Sequence, residues 1–352
     1  MRIIHTYFYA SSFILKDKQL FESIATVKNN YFNLAQKYLL PFNFIKQLLF
    51  LLFYGWRTDL FICQFSGYHS FLPCLFARVT GKKSIIISGG TDCVSFPGIR
   101  YGNFYRPVLK TFTKWSYQLC SHLAPKHETL YFTKYDYDEK EPAEQGIKAF
   151  IKGLNTPYTA IPNGYDPEQW PLLHKERKPR SFITLSGSFE YPFQVALKGI
   201  DLILEVAALF PDCTFTIAGV PEWKKLDIKS NNVMVLPPIR HKDLPELFNE
   251  YEYYMQLSMA EGFPNALCEA MLCGCTPIVS NVFSMPEIIG ECGYILKKRN
   301  FSDLQNLINE IKGREPVSRK SIRGIIEKKY TYNERKNKFQ QILKQMTTPN
   351  PL

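Results

Sequence analysis

Short apolar segments typical of strands alternate with segments typical of helices along most of this sequence. In the first half, residues 59–64 (DLFICQ) and 83–88 (KSIIIS) have the pattern of buried strands, and residues 68–79 between them have that of a helix. A strand, a helix and a second strand in succession predict parallel strands joined by a helical crossover. A chain of 352 residues is long enough for two such domains, each with its own core. We therefore predict an α/β fold with doubly wound parallel sheets.

The same alternation continues in the second half of the chain. The predicted strands there are residues 181–186, 213–219, 233–239, 253–257 and 275–280, and the predicted helices are residues 200–210 and 242–249.

Residues 258–274 (SMAEGFPNALCEAMLCG) combine a turn with a helical pattern. Pro264 suits the first position of a helix, because the N–H group that it lacks would be unpaired there. We predict a helix over residues 264–273 that ends at Gly274. The unpaired N–H groups and the positive dipole end of such a helix form a ready anion site.

Two glutamates, Glu261 and Glu269, stand eight positions apart in this stretch. Glu269 shares a helix face with Asn265 and lies among apolar residues. A carboxylate in such surroundings is costly unless it accepts hydrogen bonds, which the vicinal hydroxyls of a ribose would supply. The pattern also fits an ordinary core helix, with Glu269 on its wet side and Glu261 in a solvated loop.

The sequel to this stretch favours the first interpretation. Strand-like residues 275–280 (CTPIVS) come next, and Pro286, Glu287 and Ile288 follow. Together these motifs resemble the Glu-x7-Glu signature and its sequel in the retaining nucleotide-sugar glycosyltransferases of family 4 (group 1). The resemblance is strong over residues 161–296 and looser before them. It implies the GT-B fold, with two Rossmann-like domains facing across a cleft.

This resemblance implies transfer of a sugar from a nucleotide-diphosphate donor to a glycan or lipid-linked acceptor, as in the synthesis of cell-envelope polysaccharide or lipopolysaccharide. It places Lys198 at the diphosphate and Glu261 at the sugar, as catalytic residues, and Glu269 at the ribose. The other implied donor-binding residues are Gly187, Ser188, Pro238, Ile239, Gly262, Phe263, Pro264 and Asn265. The nucleotide sugar is a co-substrate, and no cofactor or metal ion is implied.

Two sites can also be approached from physical chemistry alone. Lys198 lies at the start of a predicted helix, where a cation opposes the helix dipole, so an anionic partner is expected. Gly90, Thr91 and Asp92 follow the predicted strand at residues 83–88. Ligands of open α/β sheets bind beyond the carboxyl ends of strands, so these three residues are expected at a ligand site. The resemblance makes the first domain the acceptor-side domain and so implies that this ligand is the acceptor.

The chain departs from the family pattern at three positions. The glycine-rich turn after the first strand is missing, since the first glycine is Gly55. Ser188 stands where an arginine often accompanies the lysine, and Gly89 stands where many members have a histidine. Two other classes of protein therefore stay open: a non-catalytic GT-B protein that binds nucleotides as a scaffold, and a nucleotide-sugar epimerase.

The domain boundary is predicted at residues 159–166 (TAIPNGYD), which resemble the turn between the two domains of family members. We assign residues 1–164 to an acceptor-side domain and residues 165–330 to a nucleotide-sugar-binding domain, with residues 167–180 as a linker. The resemblance also implies a last helix over residues 331–346 that crosses back onto the first domain.

A formal charge of +11 and a pI of about 9.1 indicate an anionic partner. Residues 23–58 and 93–127 contain no acidic side chain, and both combine basic with apolar or aromatic residues. Such segments can lie on an anionic membrane surface. A buried helix in the first segment and a solvated helix face in the second also fit. Binding of nucleic acid is disfavoured, because only the charge supports it.

The nine cysteines lie mostly in apolar stretches without the spacing of a zinc site. We interpret them as reduced core thiols of a cytoplasmic protein. The two acid-free segments predict that this protein contacts the inner face of the plasma membrane peripherally. Asp136, Tyr137 and Asp138 form an Asp-x-Asp triplet in a charged, turn-rich run, which predicts a solvated loop rather than a metal site.

Overall fold

The computed structural model describes residues 1–187, 189–221, 224, 226–315 and 317–347, and the chain divides into two compact units. Unit 1 consists of Met1–Lys134, Glu144–Pro162 and Arg335–Leu352, and unit 2 consists of Tyr135–Ala143 and Asn163–Glu334. Ser188, which the resemblance assigns to the donor, lies outside the described residues.

Unit 1 is a parallel α/β structure. Its strands are β1 (Arg2–Tyr7), β2 (Thr26–Tyr31), β3 (Leu60–Gln64), β4 (Lys83–Ile87), β5 (His122–Leu123), β6 (Thr133–Lys134) and β7 (Glu144–Gln145). Its helices are α1 (Ser12–Glu22), α2 (Leu40–Tyr54), α3 (Tyr68–Val79), α4 (Pro107–Leu119), α5 (Glu128–Tyr131) and α6 (Ile147–Phe150). Strands β1 to β5 form one parallel sheet in the order β2-β1-β3-β4-β5, and β6 pairs with β7 in a separate antiparallel ladder.

The sheet of unit 1 is buried because helices cover it. Phe61 of β3 packs in one cluster with Ile4 of β1, Leu51 of α2 and Ala77 of α3. The chain leaves β1 toward β2 on one side and returns to β3 on the other side. The crevice beyond the carboxyl ends of β1 and β3 is therefore the place where the strand order reverses, and such places bind ligands in open α/β sheets.

Unit 2 has a second parallel sheet. Its strands are β8 (Lys178–Leu185), β9 (Thr214–Ala218), β10 (Val233–Leu236), β11 (Tyr251–Gln256), β12 (Thr276–Ser280) and β13 (Tyr294–Leu296). Its helices are α7 (Phe193–Leu197), α8 (Ile200–Ala207), α9 (Leu244–Phe248), α10 (Asn265–Leu272), α11 (Met285–Ile289), α12 (Phe301–Lys312) and α13 (Arg319–Lys329).

The strand order of unit 2 is β10-β9-β8-β11-β12-β13, and every pair is parallel. Three aromatic rings stack across its centre, with Phe182 5.0 Å from Phe215 and 4.9 Å from Tyr253 between ring centroids. The order reverses between β8 and β11, which is the arrangement of a Rossmann sheet. The prediction of an α/β fold with two doubly wound parallel sheets is confirmed.

The last helix, α14 (Tyr332–Thr347), starts at the end of unit 2, and its residues from Arg335 on belong to unit 1. Within unit 1, Arg335 donates three hydrogen bonds of 2.7 to 2.9 Å to the carboxylate of the buried Asp17. Phe339 packs edge-on against Phe21 with ring centroids 5.1 Å apart. These contacts attach the last helix to α1.

Three details differ from the sequence predictions. The predicted linker is shorter, because β8 begins at Lys178 and Trp170 is buried in unit 2. Residues 135–143 belong to unit 2 rather than to the first domain, since the Arg299 backbone N–H donates to Tyr137 O at 2.7 Å. The loop before Lys198 contains the helix α7, and the following helix ends at Ala207 rather than at residue 210.

Candidate functional site

Lys198 and Glu261 form an ion pair at the carboxyl edge of the unit 2 sheet. Lys198 Nζ lies 2.5 Å from Glu261 Oε1, and the two side chains are 26% and 17% exposed. Gly199 has a φ of +69°, and a Cβ there would lie 2.3 Å from the backbone oxygen of Leu257. Glycine is therefore required for α8 to start this close to the end of β11. The anionic partner expected for a lysine at a helix start is Glu261 in this structure.

The carboxylate of Glu261 is held through one oxygen. Oε1 accepts from Ser258 Oγ at 3.1 Å and from Gln256 Nε2 at 3.2 Å, in addition to Lys198. Gln256 is itself oriented by the Tyr254 hydroxyl, which donates to its Oε1 at 3.0 Å. In the described part of the chain Oε2 accepts no hydrogen bond, so this oxygen can accept from a ligand.

The loop before α10 is fixed from two directions within unit 2. Asn163 Nδ2 donates to Phe263 O at 3.3 Å and to Asn265 Oδ1 at 2.8 Å, and the Tyr165 hydroxyl donates to Asn265 Oδ1 at 2.8 Å. Ser284 Oγ donates to the backbone oxygen of Gly262 at 2.9 Å. The sequence motif around Asn163 and Tyr165 indicates only a domain boundary, and this positioning role could not be predicted because the contacts span about 100 residues.

The N terminus of α10 keeps its donors available. The helix begins at Asn265, one residue later than predicted, because Pro264 is extended. Among the described residues, no acceptor takes the backbone N–H of Phe263 or Asn265. These N–H groups and the positive end of the helix dipole suit a phosphate.

Glu269 is almost fully buried on α10 and has a protein partner. Its side chain is 6% exposed, and its Oε1 lies 3.2 Å from Nε2 of His241. The His241 ring is 46% exposed and packs edge-on against the buried Trp170 at 5.1 Å between centroids. His241 follows Pro238 and Ile239 after β10, so this loop reaches Glu269. Nothing local in the sequence distinguishes His241, so its contact with Glu269 could not be predicted.

The C-terminal end of α10 is held by arginines. Arg323 donates to the backbone oxygens of Leu272, Pro167 and Trp170. Arg319 and Arg177 donate to the backbone oxygen of Cys273 at 3.2 and 3.1 Å. Cations at this end satisfy unpaired carbonyls and complement the dipole, so they stabilise the helix that carries Glu269.

The remaining donor positions lie on the same edge of the sheet. A Cβ on Gly187 would meet no atom of the described residues within 4 Å, whereas a Cβ on Gly219 would lie 2.4 Å from the backbone oxygen of Ser186. The crevice beside the ends of β8 and β9 is thus open at Gly187 and closed by backbone at Gly219. Pro238 is exposed and Ile239 is half-buried.

In unit 1, Gly90, Thr91 and Asp92 follow β4, as predicted. Asp92 is buried, and its carboxylate accepts from the backbone N–H of Ser66 at 2.9 Å, from those of Gly89 and Gly90 at 3.0 and 3.1 Å, and from the Tyr117 hydroxyl at 2.7 Å. These bonds give Asp92 a structural role at the strand ends. Contact with an acceptor stays a prediction for these three residues.

The described residues contain no cluster of three or more His, Cys, Asp or Glu side chains suited to a metal ion. Asp136 is exposed and pairs with Lys298, whereas Tyr137 between the two aspartates is buried, so the triplet is only partly solvated. The nine cysteines are free; eight are buried, and Cys292 is partly exposed.

The architecture defines a class of protein. The chain is similar to Anabaena HepE, solved in complex with UDP and glucose, with a TM-score of 0.69 and 13% identity over 98% of this chain and 100% of that one. This likeness shows the fold, which is GT-B with two Rossmann-like units.

The sequence then identifies the domain. Residues 193–329 match the family described as "Glycosyl transferases group 1". The chain therefore contains a glycosyl transferases group 1 domain, and Lys198, Glu261 and Glu269 lie within it.

Two curated proteins are similar to parts of the chain. One component of human phosphatidylinositol N-acetylglucosaminyltransferase is 25% identical over 189 residues, which are 49% of this chain and 38% of that protein. O-antigen chain mannosyltransferase B of Escherichia coli is 39% identical over 54 residues, 15% of this chain and 14% of that protein. The chain covers less than two thirds of the length of either relative.

Proposed function

We propose that the protein is a retaining, metal-independent glycosyltransferase that moves a sugar from a nucleotide-diphosphate donor to a glycan or lipid-linked acceptor. The observation that carries this proposal is the Lys198–Glu261 pair at the point where the strand order of unit 2 reverses. Nucleotides bind at this edge of Rossmann sheets. Here the edge carries the cation of Lys198, the carboxylate of Glu261 with one oxygen free to accept, and the N terminus of α10.

In this proposal the leaving diphosphate is stabilised by protein donors alone. As the bond between the anomeric carbon and the β-phosphate oxygen breaks, negative charge grows on the phosphate. Lys198 and the N–H groups at the start of α10 meet that charge, and they are already in place when it develops. The acceptor oxygen attacks from the same face, and the departing phosphate takes its proton, so configuration is retained.

The two glutamates have different tasks. Glu261 Oε2 accepts from a hydroxyl of the donor sugar, while its Oε1 stays with Lys198 and Ser258. Glu269 accepts from the ribose hydroxyls, and His241 orients its carboxylate. UDP in HepE supports a uridine nucleotide as the donor for this chain.

The acceptor in this proposal is a glycan that is linked to a membrane lipid. The names of the two curated relatives support this assignment, since one enzyme acts on phosphatidylinositol and the other is an O-antigen chain mannosyltransferase. A role in the synthesis of envelope polysaccharide follows.

Helix α2 supports attachment to a membrane surface. Its outward face is largely apolar; the exposed large apolar side chains on it and just after it are Phe42, Ile45, Leu48, Leu49, Leu52, Phe53 and Trp56. Its buried side chains include the polar Gln47, which donates to the backbone oxygen of His69. An ordinary surface helix exposes mainly polar side chains, whereas α2 exposes many apolar ones although it also buries Leu51.

The surroundings of α2 favour an anionic bilayer as the occupant of this face. Residues 23–58 include no acidic side chain, and Lys46 and Arg57 are exposed. The other acid-free segment packs beside it, since Phe44 of α2 contacts Phe112 of α4 at 5.4 Å between ring centroids. In the described residues no helix is long and apolar enough to span a bilayer. The attachment that we propose is peripheral and on the cytoplasmic face.

The function is tested with purified protein and a panel of nucleotide sugars. Calorimetric binding of UDP, followed by transfer or hydrolysis of one UDP-sugar, is the expected result. Binding of UDP without any turnover would favour the scaffold class, and recovery of an epimerised nucleotide sugar would favour the epimerase. Failure to bind any nucleoside diphosphate would exclude the proposal.

A further inference from the structure

Four aromatic side chains lie beyond the carboxyl ends of β1 and β3, where the strand order of the unit 1 sheet reverses. Phe8 and Tyr9 follow β1, Phe13 lies on α1, and Phe65 follows β3. We call these four residues the aromatic platform. The Tyr9 and Phe65 rings are nearly parallel at 6.2 Å between centroids, and Phe13 lies 5.8 Å from Phe65. Tyr9 is 39% exposed, so the platform is open to a ligand.

The backbone holds Phe65 in this position. Its φ is +67°, which is uncommon for a residue with a bulky side chain. Its ring fills the space where a Cβ on Gly89 would stand, only 1.8 Å from Phe65 Cε1. The glycine at position 89 therefore admits the platform, and a histidine there would displace it. Strained backbone of this kind persists where the surrounding structure enforces it, often at a binding site.

A buried lysine adjoins the platform. Lys126 follows β5 and is 4% exposed, and its Nζ lies 4.0 Å from the centre of the Phe13 ring and 5.7 Å from that of Phe65. No carboxylate of the described residues lies within 4.0 Å of this ammonium, and no described group accepts a hydrogen bond from it. The two rings attract the ammonium through cation–π interactions, but they leave its N–H donors without a strong acceptor. Lysine is almost never buried without a carboxylate or another acceptor, because the desolvated charge is costly.

Neighbouring acids do not neutralise this charge. Asp17 is bonded to Arg335 and to Gln64 Nε2, and the carboxylate of Asp92 already has four donors. Burial lowers the pKa of Lys126 to about 8, although the charges of Asp17 and Asp92 oppose this shift. Lys126 is therefore a cation near neutral pH with unused donors beside a set of aromatic rings.

We infer that this edge of unit 1 binds an acidic sugar. The apolar face of the sugar ring stacks on the platform, since aromatic rings attract C–H groups to their electron-rich faces, and the carboxylate or phosphate of the sugar pairs with Lys126. The inference rests on the proposed function, for which it defines the acceptor as an anionic saccharide. Uronic acids and sugar phosphates share the required chemistry.

The test is binding without a donor, measured by saturation-transfer NMR titration. The probes are the methyl glycoside of glucuronic acid, glucose 1-phosphate and the neutral methyl glucoside. The wild-type protein should prefer at least one acidic probe over the neutral one by about 10-fold or more. Preference for only one acidic probe identifies the acid as carboxylate or phosphate. Equal affinity for acidic and neutral probes overturns the inference.

Two variants separate the charge from the stacking. Lys126→Met keeps the stem and removes the charge, so it should abolish the preference and leave binding of the neutral probe within about 2-fold. Tyr9→Ala should weaken all probes by about 5-fold or more. Lys152→Met, which changes an exposed lysine of unit 1, is the matched control and should behave as wild type.

Two outcomes would contradict these assignments. Undiminished preference in Lys126→Met removes the charge assignment, and undiminished binding in Tyr9→Ala removes the platform. UDP affinity is measured in parallel for every variant. If the wild-type protein did not bind UDP, the proposed function would be wrong. If it bound UDP but showed no preference for acidic sugars, only this inference would be wrong.

Discussion

Glu261 and Glu269 differ in their surroundings, and this difference predicts different defects. We expect Glu269→Gln to weaken UDP binding about 10-fold, or about 1.4 kcal/mol, because an amide replaces a buried acceptor of two ribose hydroxyls. Glu261→Gln should leave UDP affinity within about 2-fold and mainly lower kcat. Calorimetry with UDP and steady-state turnover measure the two effects, and Glu205→Gln, an exposed site on α8, is the control. Unchanged UDP affinity in the Glu269 variant would refute its assignment to the ribose.

Lys198 has a protein partner as well as its proposed phosphate partner. We expect Lys198→Ala to lower kcat on the order of 10²–10³, which corresponds to about 3–4 kcal/mol of lost transition-state stabilisation. Lys198 and Glu261 are 2.5 Å apart, so their contributions to catalysis are coupled. The double variant Lys198→Ala with Glu261→Gln should therefore lose less transition-state stabilisation than the sum of the two single losses. Turnover of the four proteins with one donor measures this coupling. Additive losses would mean that the pair does not act as a unit.

At the scale of one element, α10 depends on the arginines at its C-terminal end. Arg323→Ala removes the donor to the backbone oxygens of Leu272, Pro167 and Trp170. We expect a loss of about 2 kcal/mol in the free energy of unfolding, with faster hydrogen exchange in α10, because buried carbonyls lose a charged donor. Arg314→Ala is the control, since its pair with Glu310 is exposed and worth less than about 1 kcal/mol. Equal effects of the two changes would contradict the capping role.

Helix α2 carries the prediction about membranes. Replacing Leu49 and Phe53 by serine should reduce sedimentation with anionic vesicles of phosphatidylglycerol and phosphatidylcholine by about 10-fold or more, because both side chains are more than 60% exposed. Leu209→Ser, at an exposed apolar site of unit 2, should have no effect. High salt should release the wild-type protein, since surface attraction to basic residues is screened.

Two results would count against this attachment. Equal binding to neutral vesicles would remove its electrostatic part. A monomer–dimer equilibrium that the serine variant abolishes would assign the apolar face of α2 to a second copy of the chain instead.

For the whole molecule, we expect acidic pH to destabilise unit 1 first. Burial lowers the pKa of His5 and of His69 to about 4, whereas an unfolded histidine titrates near 6.5. Between these values the unfolded state binds more protons, so stability is complete above pH 6.5 and falls as the pH drops toward 4. Each histidine contributes up to about 1.4 kcal/mol per pH unit. Urea unfolding at several pH values, followed by a probe in unit 1, measures the slope.

His5→Leu removes one of these titrations and should reduce that slope by about half. A slope that the substitution leaves unchanged would place the acid sensitivity elsewhere in the molecule.

Local patterns in the sequence predict many of the helices and strands, although not the short helix α7. Apolar periodicity located α3 at Tyr68–Val79, as predicted, and β12 and α10 to within one residue at either end. Such patterns are local: a buried strand, a proline at a helix start or a glycine after a helix end leaves its mark within a few residues. The match to the glycosyl transferases group 1 family over residues 193–329 includes α10 and β12.

Contacts between side chains that are distant in the sequence come from the tertiary structure. Lys198 and Glu261 are 63 positions apart, and Asn163 reaches Asn265 across 102 positions, so no short pattern could pair them. The outward direction of the apolar face of α2 was equally undetermined, since a buried helix has the same composition. Sheet pairing decides these matters, because it brings strand ends from separate parts of the chain to one edge and leaves each helix one face to bury.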